Sequence, residues 1–251
     1  MVPNKNKKCI RNFDLTFKGS IGRKWSLTTI PSTLSAFTIC LWIKFPAYTQ
    51  EYFQKEYAVL GYLSSGSIFP TLMTHFGLSV RYMKEGEASL VFKYYYWFDF
   101  VSRHEIELKL GQRVNTNEWN FLCVTRENSS GKTNLFWHGK DLISANKLLY
   151  PGHTMRKGGT FIVAGIPRRN IYDMVMYPAV PKNNLPLTIT QTNVWDRSLT
   201  QDEITGMSSR ENCGGGAGNV LDWKDFESQL DLSIFTKNDQ SQCTTTPGSM
   251  F

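Results

Sequence analysis

The residues of this sequence that could take part in catalysis lie far apart along the chain. None of the histidines belongs to a Gly-X-Ser-X-Gly or His-Glu-X-X-His motif: His75, His104, His138 and His153. Glu105 and Glu107 alternate with apolar residues, so both lie on one face of a strand, a spacing that an all-β glycosidase could use. A solvated strand face explains the same spacing without catalysis. We therefore predict a protein that is not an enzyme.

The cysteines do not form a metal-binding motif. They are Cys9, Cys40, Cys123, Cys213 and Cys243. Without a Cys-X-X-Cys spacing or paired histidines, the sequence does not predict a zinc site. Widely spaced cysteines within apolar strands fit structural disulfides in an oxidising compartment, and an odd number leaves one over. Asn128-Ser-Ser is a glycosylation sequon in a turn-like stretch, which agrees with secretion.

The chain carries a net charge of +7 and has a pI of about 9.1. A basic chain of this kind could bind an acidic partner. Its basic residues are scattered, so two interpretations stay open: solubilising surface charge, or a patch for glycosaminoglycan or another polyanion. We do not expect nucleic-acid binding, because the chain has no zinc spacing, RNP-like motif or basic helix. No apolar run approaches the roughly 18 residues of a membrane span.

Segments with the two-residue period of half-buried strands follow one another along most of the chain. The strongest covers residues 36–45, where Phe37, Ile39 and Leu41 share one face while Cys40 and Trp42 lie on the other. A strand that is apolar on both faces is buried on both sides or carries a partner element over its outer face. His138-Gly139 predicts a tight hairpin turn, with glycine supplying a positive φ.

A short helix is predicted near residues 200–208, because Thr200 and Glu203 have the spacing of a capping box. The Pro- and Asn-rich residues 167–186 predict a long irregular loop. Strand after strand with one late helix indicates an all-β fold, an antiparallel two-sheet sandwich. We expect an N-terminal arm at residues 1–12, a single domain at 13–243 and a linker-like tail at 244–251.

Several stretches, in matching order over roughly residues 13–235, resemble the pentraxins, jelly-roll sandwiches of the wider laminin-G-like group. Residues 36–41 and 119–125 resemble the family's two cysteine-bearing strands. Residues 135–140 resemble the hairpin that follows, and residues 193–204 match the late signature leading into the family's single helix. Residues 219–224 and 234–236 match the closing strands. The resemblance implies a pentraxin-like jelly roll.

The resemblance also implies which cysteines pair. It implies a Cys40–Cys123 disulfide, worth about 4 to 5 kcal/mol by a chain-entropy estimate. Cys213 and Cys243 would pair in turn, as in some members of the family. Cys9 would then be free or would form an intermolecular link from the arm.

The resemblance directs attention to a loop where this sequence departs from the family. Pentraxins typically bind calcium through carboxylates and amides, but the main ligand cluster falls here on residues 166–169, which include Arg168 and Arg169. Because two arginines would repel a divalent cation, we expect no cofactor and no metal, and loss of calcium-dependent phosphocholine binding. The residues left as candidates for binding an anionic group are Arg168, Arg169, Tyr172, Tyr177 and Lys182.

These expectations describe an extracellular, non-enzymatic recognition or adhesion domain, calcium-independent, that binds a protein or an anionic or glycan ligand. It would be a module of a surface receptor or a secreted binder, and a homo-oligomer is expected. The alternatives are a calcium-dependent, secreted pattern-recognition pentraxin of innate immunity that binds phosphocholine or glycans, and a structural matrix or coat protein.

Overall fold

The structure is a computed structural model, and most of the chain between Phe13 and Asn238 is described. The described residues are 13–17, 27–50, 53, 56–63, 75–84, 87–95, 103–113, 117–145, 151, 154–163, 166–169, 176–179, 186–208, 216–230, 232 and 235–238. The predicted arm and tail, and Cys9, Cys213 and Cys243, lie outside this part of the chain. Their roles stay predictions.

The described segments are mostly strands, with one short α-helix and one 3₁₀ helix late in the chain. The strands are β1 (Asp14–Phe17), β2 (Leu27–Thr29), β3 (Ala36–Lys44), β4 (Glu56–Leu63), β5 (His75–Lys84), β6 (Glu87–Tyr95), β7 (Arg103–Arg113), β8 (Trp119–Glu127), β9 (Thr133–Trp137), β10 (Lys140–Ala145), β11 (Thr160–Val163), β12 (Ile166–Arg169), β13 (Met176–Ala179), β14 (Thr188–Trp195) and β15 (Phe235–Asn238). Helix α1 is Gln201–Ser208, and the 3₁₀ helix is Trp223–Gln229.

The strands form two large antiparallel sheets and a separate two-stranded ribbon. One sheet has the order β10-β9-β8-β3-β14-β1-β15, the other β2-β11-β4-β5-β6-β7, and the ribbon is β12-β13. Apolar residues from both large sheets join one buried cluster, so the two sheets pack face to face. The predicted all-β, antiparallel two-sheet sandwich is confirmed.

Strand β3 lies inside the larger sheet and is buried on both faces, as its sequence predicts. Phe37, Ile39 and Leu41 belong to the cluster between the sheets. Cys40 and Trp42 belong to a second cluster on the outer face, together with Phe121, Cys123, Phe136, Trp195, Leu199 and Ile204. The element covering that outer face is α1, which contributes the fully buried Ile204.

The Cys40–Cys123 disulfide is confirmed. The two residues are direct partners in the β3–β8 register, with an S–S distance of 2.01 Å. Both are buried beneath α1, because they belong to the same outer cluster as Ile204.

Helix α1 begins with the predicted capping box. The backbone N–H of Thr200 donates to Glu203 Oε2 at 2.8 Å, and the N–H of Glu203 donates to Thr200 Oγ1 at 3.3 Å. The helix is tied to the predicted hairpin turn, where His138 and Gly139 have φ of 50° and 77°. Thr205 Oγ1 donates to the Gly139 carbonyl at 3.0 Å, and Gln201 Nε2 donates to the same oxygen.

Three local predictions are wrong. Residues 167–186 are not wholly irregular, because they contain most of β12 and all of β13. A glycine is expected to end the strand that contains Glu105 and Glu107, but β7 runs past Gly111 to Arg113. Residues 219–224 form only a bridge at Leu221 before the 3₁₀ helix begins, where a closing strand was expected.

Candidate functional site

The candidate binding residues fall on the two-stranded ribbon. Arg168 and Arg169 end β12, and Tyr177 lies in β13. In the antiparallel register Arg168 is the partner of Tyr177, and Arg169 is the partner of Met176. Tyr172 and Lys182 lie outside the described residues. The ribbon therefore brings together three of the five candidate residues.

A pair of prolines fixes the hydrogen-bonding pattern of the ribbon. Pro167 is the direct partner of Pro178. Since neither has an N–H group, they fit only a non-hydrogen-bonded pair, whose amides point away from the partner strand. The neighbouring pair, Arg168 and Tyr177, is then the one whose backbones exchange both hydrogen bonds. At the proline pair, both outer edges of the ribbon therefore lack a backbone N–H donor, which disfavours the addition of another strand.

The ribbon register separates the two arginines. Consecutive residues of a strand lie on opposite faces, so Arg168 and Arg169 do not share a face. Direct partners in an antiparallel pair do share one, which places Arg168 with Tyr177. A ligand bound on one face of the ribbon would thus meet one arginine, and on the Arg168 face it would also meet a tyrosine.

Strand β12 lies against β4 and β5 of the six-stranded sheet. In that sheet Gly61 is the partner of Gly77, and the adjacent pair Tyr62 and Phe76 belongs to the core cluster. The two glycines therefore lie on the face turned away from the core, and both are buried. A pair of glycines allows another backbone to approach closely.

The carboxylate on the same face of β4 is already paired. Glu56 Oε2 lies 3.0 Å from Arg81 Nη2, and the fully buried Ser79 hydroxyl donates to Glu56 Oε1 at 2.5 Å. Among the described residues there is no group of three or more His, Cys, Asp or Glu side chains that could hold a metal ion. Neither β12 nor β13 contains a carboxylate residue.

The other chemically interesting residues are also placed by the register. Glu105 and Glu107 lie on the same face of β7, with Lys93 and Val91 as their partners on β6. His138 Nε2 is hydrogen bonded to Asn120 Oδ1 at 3.1 Å, within the turn that contacts α1. His153 lies outside the described residues.

An exposed ion pair lies at the start of α1, over the seven-stranded sheet. Arg197 donates from Nη1 to Glu203 Oε2 at 2.9 Å and from Nη2 to Oε1 at 2.5 Å. This pairing, with the Thr200 N–H second, lowers the pKa of Glu203 to about 2 and raises that of Arg197. Both side chains are exposed by a third or more, so water and salt screen the pair. Its role is to hold the start of the helix.

The sequon residue Asn128 is buried, with only 2% of its surface exposed. Its Nδ2 donates to the Leu34 carbonyl at 2.7 Å, and its Oδ1 accepts from Arg126 Nε at 3.2 Å. The side chain at which the sequon predicts a glycan is therefore enclosed by protein. Sequence alone misses this because a sequon does not report how its own amide is used in the fold.

No protein-family model matches the sequence. Neuronal pentraxin-2 of Cavia porcellus is 25% identical over 205 residues, covering 78% of this chain and 39% of the relative. The Homo sapiens protein of that name is 26% identical over 205 residues, covering 78% and 38%. The chain thus spans about two fifths of the length of these relatives.

Solved structures show the same fold. The native heptameric SAP-like pentraxin of Limulus polyphemus superposes with a TM-score of 0.63 at 16% identity, over 92% of this chain and 94% of that one. The full extracellular region of zebrafish Gpr126/Adgrg6 superposes with a TM-score of 0.55 at 19% identity, over 96% of this chain but 28% of that one.

Proposed function

We propose that this chain, a divergent pentraxin-like domain, is an extracellular recognition module that binds an anionic group without calcium, through the β12–β13 ribbon. The observation that carries the proposal is the register that makes Arg168 the direct partner of Tyr177. Arginine binds carboxylate, sulfate or phosphate through paired N–H groups, and a neighbouring tyrosine adds a hydroxyl and a ring face. An anionic glycan offers both kinds of group.

The residue types of the ribbon strands support the calcium-independent part of the proposal. A calcium ion takes six to eight oxygen ligands, most of them from carboxylates and carbonyls. Strands β12 and β13 contain no carboxylate residue, and β12 carries two arginines at consecutive positions. These charges disfavour a divalent cation and favour an anion. Calcium-dependent binding of phosphocholine or glycan is the alternative function.

An extracellular location and a non-enzymatic role complete the proposal. The buried Cys40–Cys123 disulfide is typical of an oxidising compartment. None of the helices formed by the described residues is long and apolar enough to cross a membrane. The match to part of a larger extracellular region favours a module of a surface protein, and the match to a heptameric pentraxin favours self-association.

The test is binding to surface-immobilised heparin, with calcium and with a chelator, at physiological salt. We expect equal binding in both conditions. Arg168→Glu together with Arg169→Glu should weaken binding at least about tenfold, because a charged hydrogen bond contributes about 1.5–3 kcal/mol. The matched control is Lys132→Glu with Lys224→Glu, which changes the net charge equally at two exposed positions.

Single variants separate a defined site from a general charge effect. If the ligand lies on the Arg168 face, Arg168→Glu and Tyr177→Phe weaken binding while Arg169→Glu has little effect. Equal losses for the ribbon pair and for the lysine control would contradict a ribbon site. Binding that disappears with the chelator would favour the calcium-dependent alternative. Stable multimers that bind no ligand would favour a matrix or coat protein.

A further inference from the structure

The turn between β8 and β9 carries the sequon, and its residues are bound to the rest of the domain. Asn128-Ser129-Ser130 is the only Asn-X-Ser/Thr triplet in the sequence. The backbone N–H of Asn128 donates to the Ser35 carbonyl at 3.0 Å. Its side-chain Nδ2 donates to the neighbouring Leu34 carbonyl at 2.7 Å. Asn128 therefore connects the turn to the segment that leads into β3.

The other end of the Asn128 amide contacts a buried cation. Its Oδ1 accepts from Nε of Arg126, a side chain with 0% exposure. Arg126 Nη1 also donates to Thr133 Oγ1 at 3.0 Å and to the Gly131 carbonyl at 3.4 Å. Arg126 lies opposite Phe37 of the core in the β3–β8 register, at the end of the sandwich. A buried guanidinium needs such acceptors, because leaving it without them is costly.

Glycosylation would place a sugar where this amide is enclosed. N-glycosylation forms a bond from Asn Nδ2 to the sugar and removes one of the two Nδ2 hydrogens. The remaining hydrogen could still donate to Leu34, so the obstacle is space rather than the number of hydrogen bonds. With 2% of Asn128 exposed, a sugar could enter only if the turn moved away from Leu34 and Arg126.

We infer that Asn128 is a structural residue, a clamp between the β8–β9 turn, the buried Arg126 and the Leu34–Ser35 backbone, and that the native protein carries no glycan at this sequon. Transfer of a glycan acts on the chain before it folds, so a modified chain would have to fold without the clamp. The inference is independent of the ribbon and of any ligand.

The first experiment expresses the whole chain, behind a secretion signal, in a eukaryotic cell. The native protein is purified as a folded, disulfide-bonded species, and its intact mass is compared before and after enzymatic release of N-glycans. We expect one mass, equal to that of the unmodified chain and unchanged by the enzyme. Glycan confined to retained or misfolded chains also supports the inference. A folded, secreted protein with a glycan at Asn128 and an unchanged Tm would overturn it.

Two variants separate the clamp from the sequon. Ser130→Ala removes the sequon and keeps Asn128. It loses only exposed hydrogen bonds, from Ser130 Oγ to Glu127 Oε2 at 3.2 Å and from the Lys132 N–H to Ser130 Oγ at 3.1 Å, so secretion and Tm should change little. Asn128→Ala also removes the sequon but takes away one acceptor of Arg126 and the side-chain donor to the Leu34 carbonyl, so Tm should fall by at least about 5 °C or secretion should fail. Equal behaviour of the two variants would contradict the clamp.

A positive control shows that the cell can modify this domain. Asp196→Asn, made together with Ser130→Ala, creates a new sequon with Arg197 and Ser198 at an exposed position after β14. We expect this protein to be secreted with a glycan that the enzyme removes. The two proteins differ in where the sequon lies. A glycan at position 196 but not at Asn128 would show that burial of Asn128 prevents glycosylation there.

Discussion

Replacing Ile204 with alanine should both weaken the domain and expose its buried disulfide. Ile204 has 0% exposure and packs in the outer cluster with Cys40, Cys123 and Phe136. Truncating a buried isoleucine to alanine usually costs 2–5 kcal/mol. Helix α1 is short and lies at the surface, so it can settle partly into the space, and we expect about 3 kcal/mol.

The expected loss of about 3 kcal/mol also sets the expected increase in the rate of disulfide reduction. A reductant reaches Cys40 and Cys123 through opening of the cover that α1 provides, so the rate follows the population of the open form. Because about 1.4 kcal/mol corresponds to a factor of ten, Ile204→Ala should speed reduction roughly 100-fold. This factor requires that the destabilisation acts mainly on the local opening of α1, and not only on global unfolding of the domain.

Two measurements test this reasoning on the same protein. Denaturant unfolding followed by tryptophan fluorescence gives the stability change, and thiol release in excess reductant gives the rate. Asp202→Ala, at an exposed position of the same helix, is the matched control and should change neither quantity appreciably. A loss of about 3 kcal/mol with an unchanged reduction rate would show that reductant reaches the disulfide by a route that does not involve α1.

Three further predictions concern two glycines, Gly139 and Gly218, and the first turn of α1. Gly139→Ala should destabilise by more than about 1 kcal/mol, because φ is 77° and a Cβ there would contact Ser208 and lie 3.0 Å from Thr205 Cα; unchanged denaturant unfolding would contradict this. Gly218→Ala should destabilise more strongly, because its Cβ would lie 2.5 Å from the Val194 carbonyl oxygen, a backbone atom that cannot turn aside; the same measurement tests it. Glu203→Gln should remove one source of the pH dependence of stability. The pKa of Glu203 in the folded protein is about 2, below its ordinary value of 4.5. The ionised carboxylate therefore stabilises the fold above about pH 4.5, and this contribution is lost as the pH falls towards 2. The gap in denaturant midpoint between wild type and Glu203→Gln should therefore close over that window, and a constant gap would contradict the assignment.

The elements that could be predicted from sequence are those whose signal is local. The alternation in β3 places Cys40 and Trp42 on the outer face, and the need for a cover there is met by α1. The spacing of Thr200 and Glu203 gives the start of the helix, because a capping box involves only residues within one turn. The His138-Gly139 turn is equally local.

The elements that were missed depend on partners distant in sequence. Prolines usually disfavour strands, and Pro167 and Pro178 are compatible with β12 and β13 because they form a non-hydrogen-bonded pair, whose amides point away from the partner strand. The sequon at Asn128 could not show that Leu34, 94 residues away, uses the same amide. The candidate site was found through a resemblance, but the opposite faces of Arg168 and Arg169 became clear only from the register.

The proline pair also limits what substitutions in the ribbon can do during evolution. A strand pair that disfavours the addition of a third strand also disfavours association between chains through β-strand pairing. Substitutions at Arg168, Tyr177 or in the connecting residues 170–175 can then alter what is bound without creating a sticky sheet edge. The ribbon can therefore change its specificity while its backbone continues to disfavour β-strand addition.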